Sequence, residues 1–184
     1  LIYLKANLMP LICLRSFLLI MNEFFTEKLF HKNSYQNDCK ANILKTSENY
    51  VILDKTVFYP EAGGQPGDIG KIIQNDNEVE ILNTVSENGY IKHFIKSKIF
   101  LKKSQKVHCV IDWERRYNFM KVHSCLHILC SLIHSPVTGG SIGLNRGRLD
   151  FDLENKPNKD ELTKKLQQLI NENYEISSSW ISDE

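Results

Sequence analysis

Paired cysteines are the first thing that this sequence lacks. It has five cysteines, an odd number, and no two of them are spaced as C-x-x-C. Small secreted domains that are held by disulfides carry dense and even sets of cysteines, so a disulfide framework is not expected here. The cysteine usage is typical of a reducing compartment, and we therefore expect a cytoplasmic protein.

An excess of charge is also missing. Lys and Arg number 23 against 22 Asp and Glu, which leaves a formal net charge of +1. No field of the whole chain draws the protein to nucleic acid or to a membrane, so a nucleic-acid contact must depend on a local patch. Hydrophobic residues make up 42% of the 184 residues, as in an ordinary globular protein with a buried core.

Long apolar runs are confined to the first twenty residues, which are interrupted by Lys5, Pro10 and Arg15. The longest uncharged run is too short to cross a bilayer, and no small-residue cleavage site follows it. Because the chain begins with Leu and Met21 comes after this stretch, an upstream extension is favoured over a secretory signal or a native helix. We expect residues 1–20 to be dispensable, and no membrane partner.

Short runs rich in Val, Ile, Tyr and Phe follow, up to about Val110. Polar or glycine breaks such as Glu87-Asn88-Gly89 separate them, as is typical of strands joined by turns. The runs are 39–45, 49–59, 68–73, 78–85, 90–95 and 106–112. Several short strands at this spacing predict a small β-barrel, which we place at residues 21–111.

A helical period begins after Asp112, which is a suitable N-cap. The apolar positions recur at spacings of three and four, and they are Phe119, Val122, Leu126, Leu129 and Ile133. Pro136 and the Gly139-Gly140 pair are expected to end this helix.

The remaining sequence predicts further elements of a second domain at residues 112–184. Residues 148–153 alternate with the period of a strand. Asn158 and Glu161 form a capping-box pattern that opens a second amphipathic helix. Residues 175–181 read as a weak strand, and residues 182–184 as the start of another helix.

His123 and His127 stand four residues apart in the first of these helices. Residues at this spacing lie on one face, so the two imidazoles can share a metal ion, although core or rim histidines fit the same spacing. Zinc also needs three or four ligands. A zinc protease is excluded, because Ser124 and Leu126 stand where its catalytic glutamate would be.

The segment FYPEAGGQPGDIG, residues 58–70, suits the recognition of a small polar group. Gly63 and Gly64 allow a positive φ or a close approach to a ligand, and Gln65 offers both a donor and acceptors. A rigid hairpin connection explains the same residues. The segment has neither G-K-[ST] nor G-x-G-x-x-G, so it is no phosphate loop, and we expect no ATP chemistry.

Two charged features complete the set. Arg148 and Asp150 share one face of a predicted strand and can form an ion pair of small energetic value. Between residues 91 and 121, nine positive residues oppose only Asp112 and Glu114. Contact with phosphate explains this run, and so does a solvated face.

The order of the motifs FYPEAGGQPGD, HSCLH, GGSIG and RLDFD resembles the editing domain that alanyl-tRNA synthetases share with free-standing AlaX proteins. The same module occurs in threonyl-tRNA synthetases. The resemblance covers residues 21–184. It implies an α+β fold, in which a small N-terminal β-barrel precedes a two-layer α/β editing domain with a zinc-site helix.

The resemblance also implies an activity. Proteins of this kind are zinc-dependent trans-editing deacylases, which hydrolyse the ester that joins serine or glycine to tRNA(Ala). Two of the Zn²⁺ ligands would be His123 and His127, acting beside a zinc-associated water. The residues implied to line the substrate site are Gly63, Gly64, Gln65, Arg148 and Asp150. The residues expected to contact the tRNA are Lys102, Lys103, Lys106, Arg115, Arg116 and Lys121.

The sequence departs from the family pattern at three points. Ala62 replaces a residue that is often glycine, and Leu149 replaces the usual Phe. The closing C-x-x-x-H is missing, since no Cys or His follows Glu154. We therefore expect a chain cut short at its C-terminus, with two zinc ligands unidentified. The alternative is a catalytically inactive remnant that keeps only folding or tRNA binding.

Overall fold

The structure is a computed structural model that describes residues 25–96 and 101–177. The expectations for residues 1–20 and for the helix start at 182–184 lie outside the described residues, as does most of the predicted strand at 175–181. The contacts divide the chain into a first unit that ends at Arg116 and a second that begins at Tyr117. The sequence had indicated a boundary after Ile111.

The first unit is built mainly of strands. In chain order its elements are β1 (Glu27–Lys28), α1 (Leu29–Lys32), β2 (Asp38–Thr46), β3 (Tyr50–Leu53), β4 (Lys55–Thr56), β5 (Gly70–Gln74), β6 (Asn77–Glu87), β7 (Tyr90–Ile95) and β8 (Lys106–Ile111). Six of them form a closed antiparallel barrel in the order β2-β3-β7-β6-β5-β8. The predicted small barrel is confirmed.

Alternation along the strands creates the barrel core. In β2 every second residue points inward, so Cys39, Ala41 and Ile43 are buried while their neighbours are more exposed. Strand β7 repeats the pattern with Ile91 and Ile95. Period-two burial is what a sheet with one face on a core requires.

Strand β1 and helix α1 have no counterpart in the sequence-based prediction. Strand β1 is two residues long and pairs in parallel with β4. The buried hydroxyl of Thr26 fixes this start of the described chain, because it donates to the carbonyl of Leu53 at 2.8 Å. Elements this short leave too little hydrophobic periodicity to be detected.

The second unit contains most of α2 (Trp113–Leu132), followed by β9 (Val137–Gly143), β10 (Arg146–Phe151) and α3 (Lys159–Glu172). Strands β9 and β10 form an antiparallel hairpin. Together with the barrel, the described residues form a mixed α/β fold with three helices. None of these helices, within the described part of the chain, is long and apolar enough to cross a membrane.

Both predicted helix caps are confirmed. The carboxylate of Asp112 accepts the backbone N–H of Arg115 at 3.0 Å, and so satisfies a donor in the first turn of α2. The side chain of Asn158 accepts the backbone N–H groups of Asp160 and Glu161 at 3.0 and 3.1 Å at the start of α3. Each cap supplies an acceptor to a free amide of the first turn.

The predicted end of α2 was wrong for the glycine pair, although the helix does end before Pro136. The helix ends at Leu132, and Gly139 and Gly140 lie inside β9 rather than at a helix terminus. Both glycines pack closely against β10, since a Cβ atom at Gly140 would lie 3.0 Å from the carbonyl oxygen of Arg148 and one at Gly139 would lie 2.9 Å from the carboxylate of Asp150. Residues 175–177, the described part of the expected weak strand, form no strand.

The imidazole of His93 is completely buried in the barrel. The ring of His93 lies in β7, where its Nε2 is 2.8 Å from the hydroxyl of Thr56 and its Nδ1 is 3.2 Å from the carbonyl of Val51. Thr56 in turn accepts the backbone N–H of Phe58 at 3.0 Å. Burial lowers the pKa of His93 from 6.5 to about 4, against the opposing effect of the Val51 carbonyl. His93 is therefore neutral near pH 7.

Acid should destabilise the fold through His93. As the pH falls below 6.5, the unfolded chain binds a proton at this ring and the folded chain does not until about pH 4. We expect the free energy of unfolding to fall by about 2 kcal/mol more in the parent than in His93→Gln between about pH 7 and pH 5, as measured by urea unfolding. His134→Gln, which removes an exposed histidine outside the barrel, is the matched control. Equal pH dependence in parent and His93→Gln would contradict the assignment.

Candidate functional site

The glycine-glutamine motif forms a tight turn in the first unit. Ala62 and Gln65 pair through two backbone hydrogen bonds, of 3.2 and 2.9 Å, on either side of Gly63 and Gly64. Gly63 has a φ of 57° and Gly64 a φ of 76°. Positive φ at both central positions is the pattern of a type I′ turn, which explains the choice of glycine. The two glycines are exposed, whereas Gln65 is only 4% exposed.

The base of this loop is closed by Tyr59 and Asp68. The backbone N–H of Tyr59 donates to the carboxylate of Asp68 at 2.8 Å, and the backbone N–H of Asp68 donates to the carbonyl of Tyr59 at 2.9 Å. Thr84 of β6 donates its hydroxyl to the carbonyl of Asp68 at 2.9 Å. A Cβ atom at Gly67 would meet the carbonyl oxygen of Thr84 at 2.2 Å, so only glycine fits there.

A buried ion pair joins the loop to the first turn of α2. The Nε of Arg116 donates to Asp68 Oδ1 at 2.9 Å, and its Nη2 donates to Asp68 Oδ2 and, at 2.8 Å, to the carbonyl of Val57. Both side chains are almost completely buried, at 3% and 2% exposure. The neighbouring Arg115 donates to the carbonyl of Gly67 at 2.8 Å. The loop is therefore held at its end by two consecutive arginines.

This arrangement corrects the expectation for Arg116. A guanidinium that is buried and neutralised by a carboxylate cannot also contact a tRNA phosphate, because leaving Asp68 would uncover a buried charge. Arg116 is thus a structural residue of the loop. The burial of Arg116 cannot be predicted from a linear run of positive charges. The sequence does show its partner, Asp68, directly after G-G-Q-P-G.

The two histidines of HSCLH lie together in the second unit. The rings of His123 and His127 are stacked, with centroids 4.9 Å apart and planes inclined by 17°. His123 is half-buried and His127 is exposed. Burial, and then the proximity of His127, lower the pKa of His123, so its ring is neutral near pH 7.

The β9–β10 hairpin packs on the same helix. A Cβ atom at Gly147 would lie 2.9 Å from the side chains of Val122 and Leu126, so the hairpin covers the face of α2 next to the histidines. On β10, Arg148 and Asp150 form the expected ion pair, with a separation of 3.3 Å. Their side chains are 67% and 45% exposed, so the pair adds little to stability.

Comparison with known proteins reveals relatives over most of the chain. A family described as tRNA synthetases class II (A) matches residues 18–115. The chain is 34% identical to the alanyl-tRNA editing protein AlaX-M of Methanosarcina acetivorans over 171 residues, which cover 85% of this chain and 70% of the relative. The chain belongs to the AlaX family of alanyl-tRNA editing proteins.

Two further relatives define the extent of the match. AlaX-M of Pyrococcus horikoshii is 30% identical over 86% of this chain and 76% of its own length. An alanine–tRNA ligase of Sulfurisphaera tokodaii is 34% identical over 79% of this chain, but the match covers only 17% of the ligase. The chain spans between 57% and 76% of the length of AlaX-M relatives.

A zinc ion in this AlaX protein would fit the histidine pair only in part. Two imidazoles one helical turn apart are suitable donors, and they supply half of a tetrahedral set. Among residues 25–96 and 101–177, no group of three or more His, Cys, Asp or Glu side chains is arranged to hold a metal. The pair therefore needs further ligands from outside the described residues.

The remaining predicted tRNA contacts differ in their surroundings. Lys102, Lys103 and Lys106 are exposed around the start of β8. In the second unit, the exposed Lys121 lies with its Nζ 5.2 Å from the centre of the Tyr117 ring. Arg115 is half-buried and bonded to the loop. The three lysines near β8 and Lys121 are thus the exposed members of the predicted set.

Loss of the buried ion pair should destabilise the barrel strongly. In Arg116→Met the carboxylate of Asp68 stays buried without its partner, and we expect a loss of about 3–5 kcal/mol in the free energy of unfolding. Arg148→Met is the matched control, since it removes an exposed arginine of an ion pair at a cost of about 0.5 kcal/mol or less. Urea unfolding followed by tryptophan fluorescence measures both. Similar losses in the two variants would refute the structural role of Arg116.

Proposed function

We propose that this chain is a trans-editing deacylase, which hydrolyses Ser-tRNA(Ala) or Gly-tRNA(Ala) with the help of Zn²⁺. The observation that carries the proposal is the 34% identity to an alanyl-tRNA editing protein across 85% of the chain. The stacked pair His123 and His127 and the hydrogen-bonded glycine-glutamine turn support it. The partner is then tRNA(Ala), and the reaction is hydrolysis of an ester at its 3′ end.

The selectivity of such a site has a physical basis. A synthetase that accepts alanine by size cannot strongly reject serine, which only adds a hydroxyl, nor the smaller glycine. A second site that hydrogen-bonds the hydroxyl can remove serine and leave alanine in place. Gln65 is the group that we assign to this contact, because its amide both donates and accepts. Gly63 and Gly64 carry no Cβ atoms, so the turn can approach the aminoacyl group closely.

The histidines would hold the metal through their ring nitrogens. The lowered pKa of His123 keeps its ring in the neutral form that binds a cation. A bound zinc ion would supply Lewis-acid polarisation, of the ester carbonyl or of water. We assign to Arg148 and Asp150 the organisation of the neighbouring surface, since they keep each other in place on β10.

A second candidate is a protein that folds and binds tRNA without hydrolysing it. One observation favours this reading: within the described residues, no third ligand accompanies the histidine pair. The two candidates share a partner and differ in zinc content and in turnover.

Removal of the histidines should abolish both zinc binding and hydrolysis. We expect the double variant His123→Gln/His127→Gln to lose its bound zinc and at least about a hundredfold in the rate of Ser-tRNA(Ala) deacylation, since a Lewis acid contributes several kcal/mol. Metal analysis and a deacylation assay on the full chain are the measurements. The exposed His134, changed to Gln, is the control.

Two results of this experiment would count against the proposal. If the double variant keeps the zinc and the rate of the parent, the histidines are not ligands. If the parent binds tRNA but hydrolyses no ester even with added zinc, the second candidate is correct.

Substitution of Gln65 should change the discrimination between serine and alanine. Gln65→Ala removes one hydrogen bond to the serine hydroxyl, and we expect the ratio of Ser-tRNA(Ala) to Ala-tRNA(Ala) hydrolysis to fall about tenfold to a hundredfold. Gln167→Ala, on the exposed face of α3, is the matched control. Circular dichroism checks that the variant is folded, because Gln65 is buried. An unchanged ratio in a folded Gln65→Ala protein would exclude this role.

A further inference from the structure

The outer face of the barrel carries two kinds of lysine. On the side of β5, β6 and β7, three lysines are neutralised by glutamates at distances of 2.6 to 3.3 Å. These ion pairs are Lys71–Glu78, Lys92–Glu87 and Lys96–Glu80. We refer to Lys71, Lys92 and Lys96 as the paired lysines. Within these three pairs, the positive charge of each lysine is balanced by the negative charge of a glutamate.

The junction of β2 and β8 is different. Lys40, Lys102 and Lys106 are exposed there, and none of them has an ion-pair partner among the residues that the structure describes. We refer to these three as the seam lysines. Strand register places Lys40 opposite His108, and Lys106 opposite Asn42. Lys40 and Lys106 are therefore diagonal neighbours on one face, about 7–8 Å apart.

Lys102 is held beside them by a turn. Its backbone N–H donates to the side chain of Gln105 at 2.7 Å, and the N–H of Ser104 donates to the carbonyl of Ile43 in β2 at 2.7 Å. The N–H of Ile43 donates back to the carbonyl of Gln105 at 2.9 Å. This turn therefore presents Lys102 at the end of the same seam.

The acidic groups near the seam are already engaged. Asp38 lies 2.7 Å from the ring of His108, and Asp54 accepts both the backbone N–H and the side chain of Asn42 at 2.7 and 2.6 Å. Neither carboxylate lies within ion-pair distance of a seam lysine. The seam lysines thus carry three positive charges that are not in an ion pair with any described residue.

We propose that the seam lysines bind the phosphate backbone of the tRNA. Clustered cations repel one another, and a polyanion removes this repulsion while it releases its own counterions. Such contacts hold a nucleic acid without reading its sequence. The inference rests on the proposed function for the identity of the polyanion, and it adds Lys40, which the linear run of charge does not include.

The test compares two triple variants of the full chain. One changes the seam lysines, Lys40, Lys102 and Lys106, to Gln, and the other changes the paired lysines to Gln. Both lower the net charge of the protein by the same amount. The measurement is the Kd for deacylated tRNA(Ala), by filter binding, between about 50 and 200 mM salt.

We expect the seam variant to bind at least about tenfold more weakly, and the slope of log K against log salt to become shallower by about two to three. The paired-lysine variant should stay within about twofold of the parent, and changing the seam lysines to Arg should restore binding. Unchanged affinity in the seam variant would overturn the inference, as would an equal loss in both variants.

The result is separable from that of the proposed function, because deacylated tRNA contains no ester. A protein that binds tRNA through the seam but leaves Ser-tRNA(Ala) intact would refute the hydrolase and keep the inference. A protein that hydrolyses Ser-tRNA(Ala) with the same KM before and after the seam substitutions would keep the hydrolase and refute the inference.

Discussion

The loop of the candidate site depends on the buried contact between Arg116 and Asp68. Taking two charges out of water is costly, and the cost is met here by hydrogen bonds that satisfy both groups. Because Asp68 also closes the loop against Tyr59, the same carboxylate fixes the loop and its junction with α2. The exposed turn at Gly63 and Gly64, which two backbone hydrogen bonds between Ala62 and Gln65 close, is thereby anchored at its base. Rigid support of this kind is what a selective site requires.

The sequence was most informative where a local rule decides the structure. The six barrel strands, the two helices with their caps at Asp112 and Asn158, and the pairing of Arg148 with Asp150 all follow from periodicity, capping and strand alternation. The glycine-glutamine turn was open to two interpretations in the sequence. The structure shows the tight turn of a hairpin connection. The role of this turn in recognising the aminoacyl group is a proposal.

The errors and omissions of the sequence-based prediction arose where the structure depends on contacts between residues that are distant in the chain. A run of nine basic residues does not reveal that Arg116 faces Asp68, or that Lys92 and Lys96 face glutamates. Lys40 joins Lys106 only through the register of β2 with β8. The Gly139-Gly140 pair suggested a helix end in the sequence, although both glycines lie in a β-strand that packs closely in a hairpin.

Family membership and a stacked histidine pair lead to one central claim, that this chain removes wrongly attached amino acids from tRNA(Ala). The most direct measurement is the rate at which the purified protein, supplied with zinc, releases radiolabelled serine from Ser-tRNA(Ala), compared with alanine from Ala-tRNA(Ala). Faster release of serine, abolished by a chelator and restored by zinc, is the expected result. Release of serine no faster than spontaneous hydrolysis would contradict the claim.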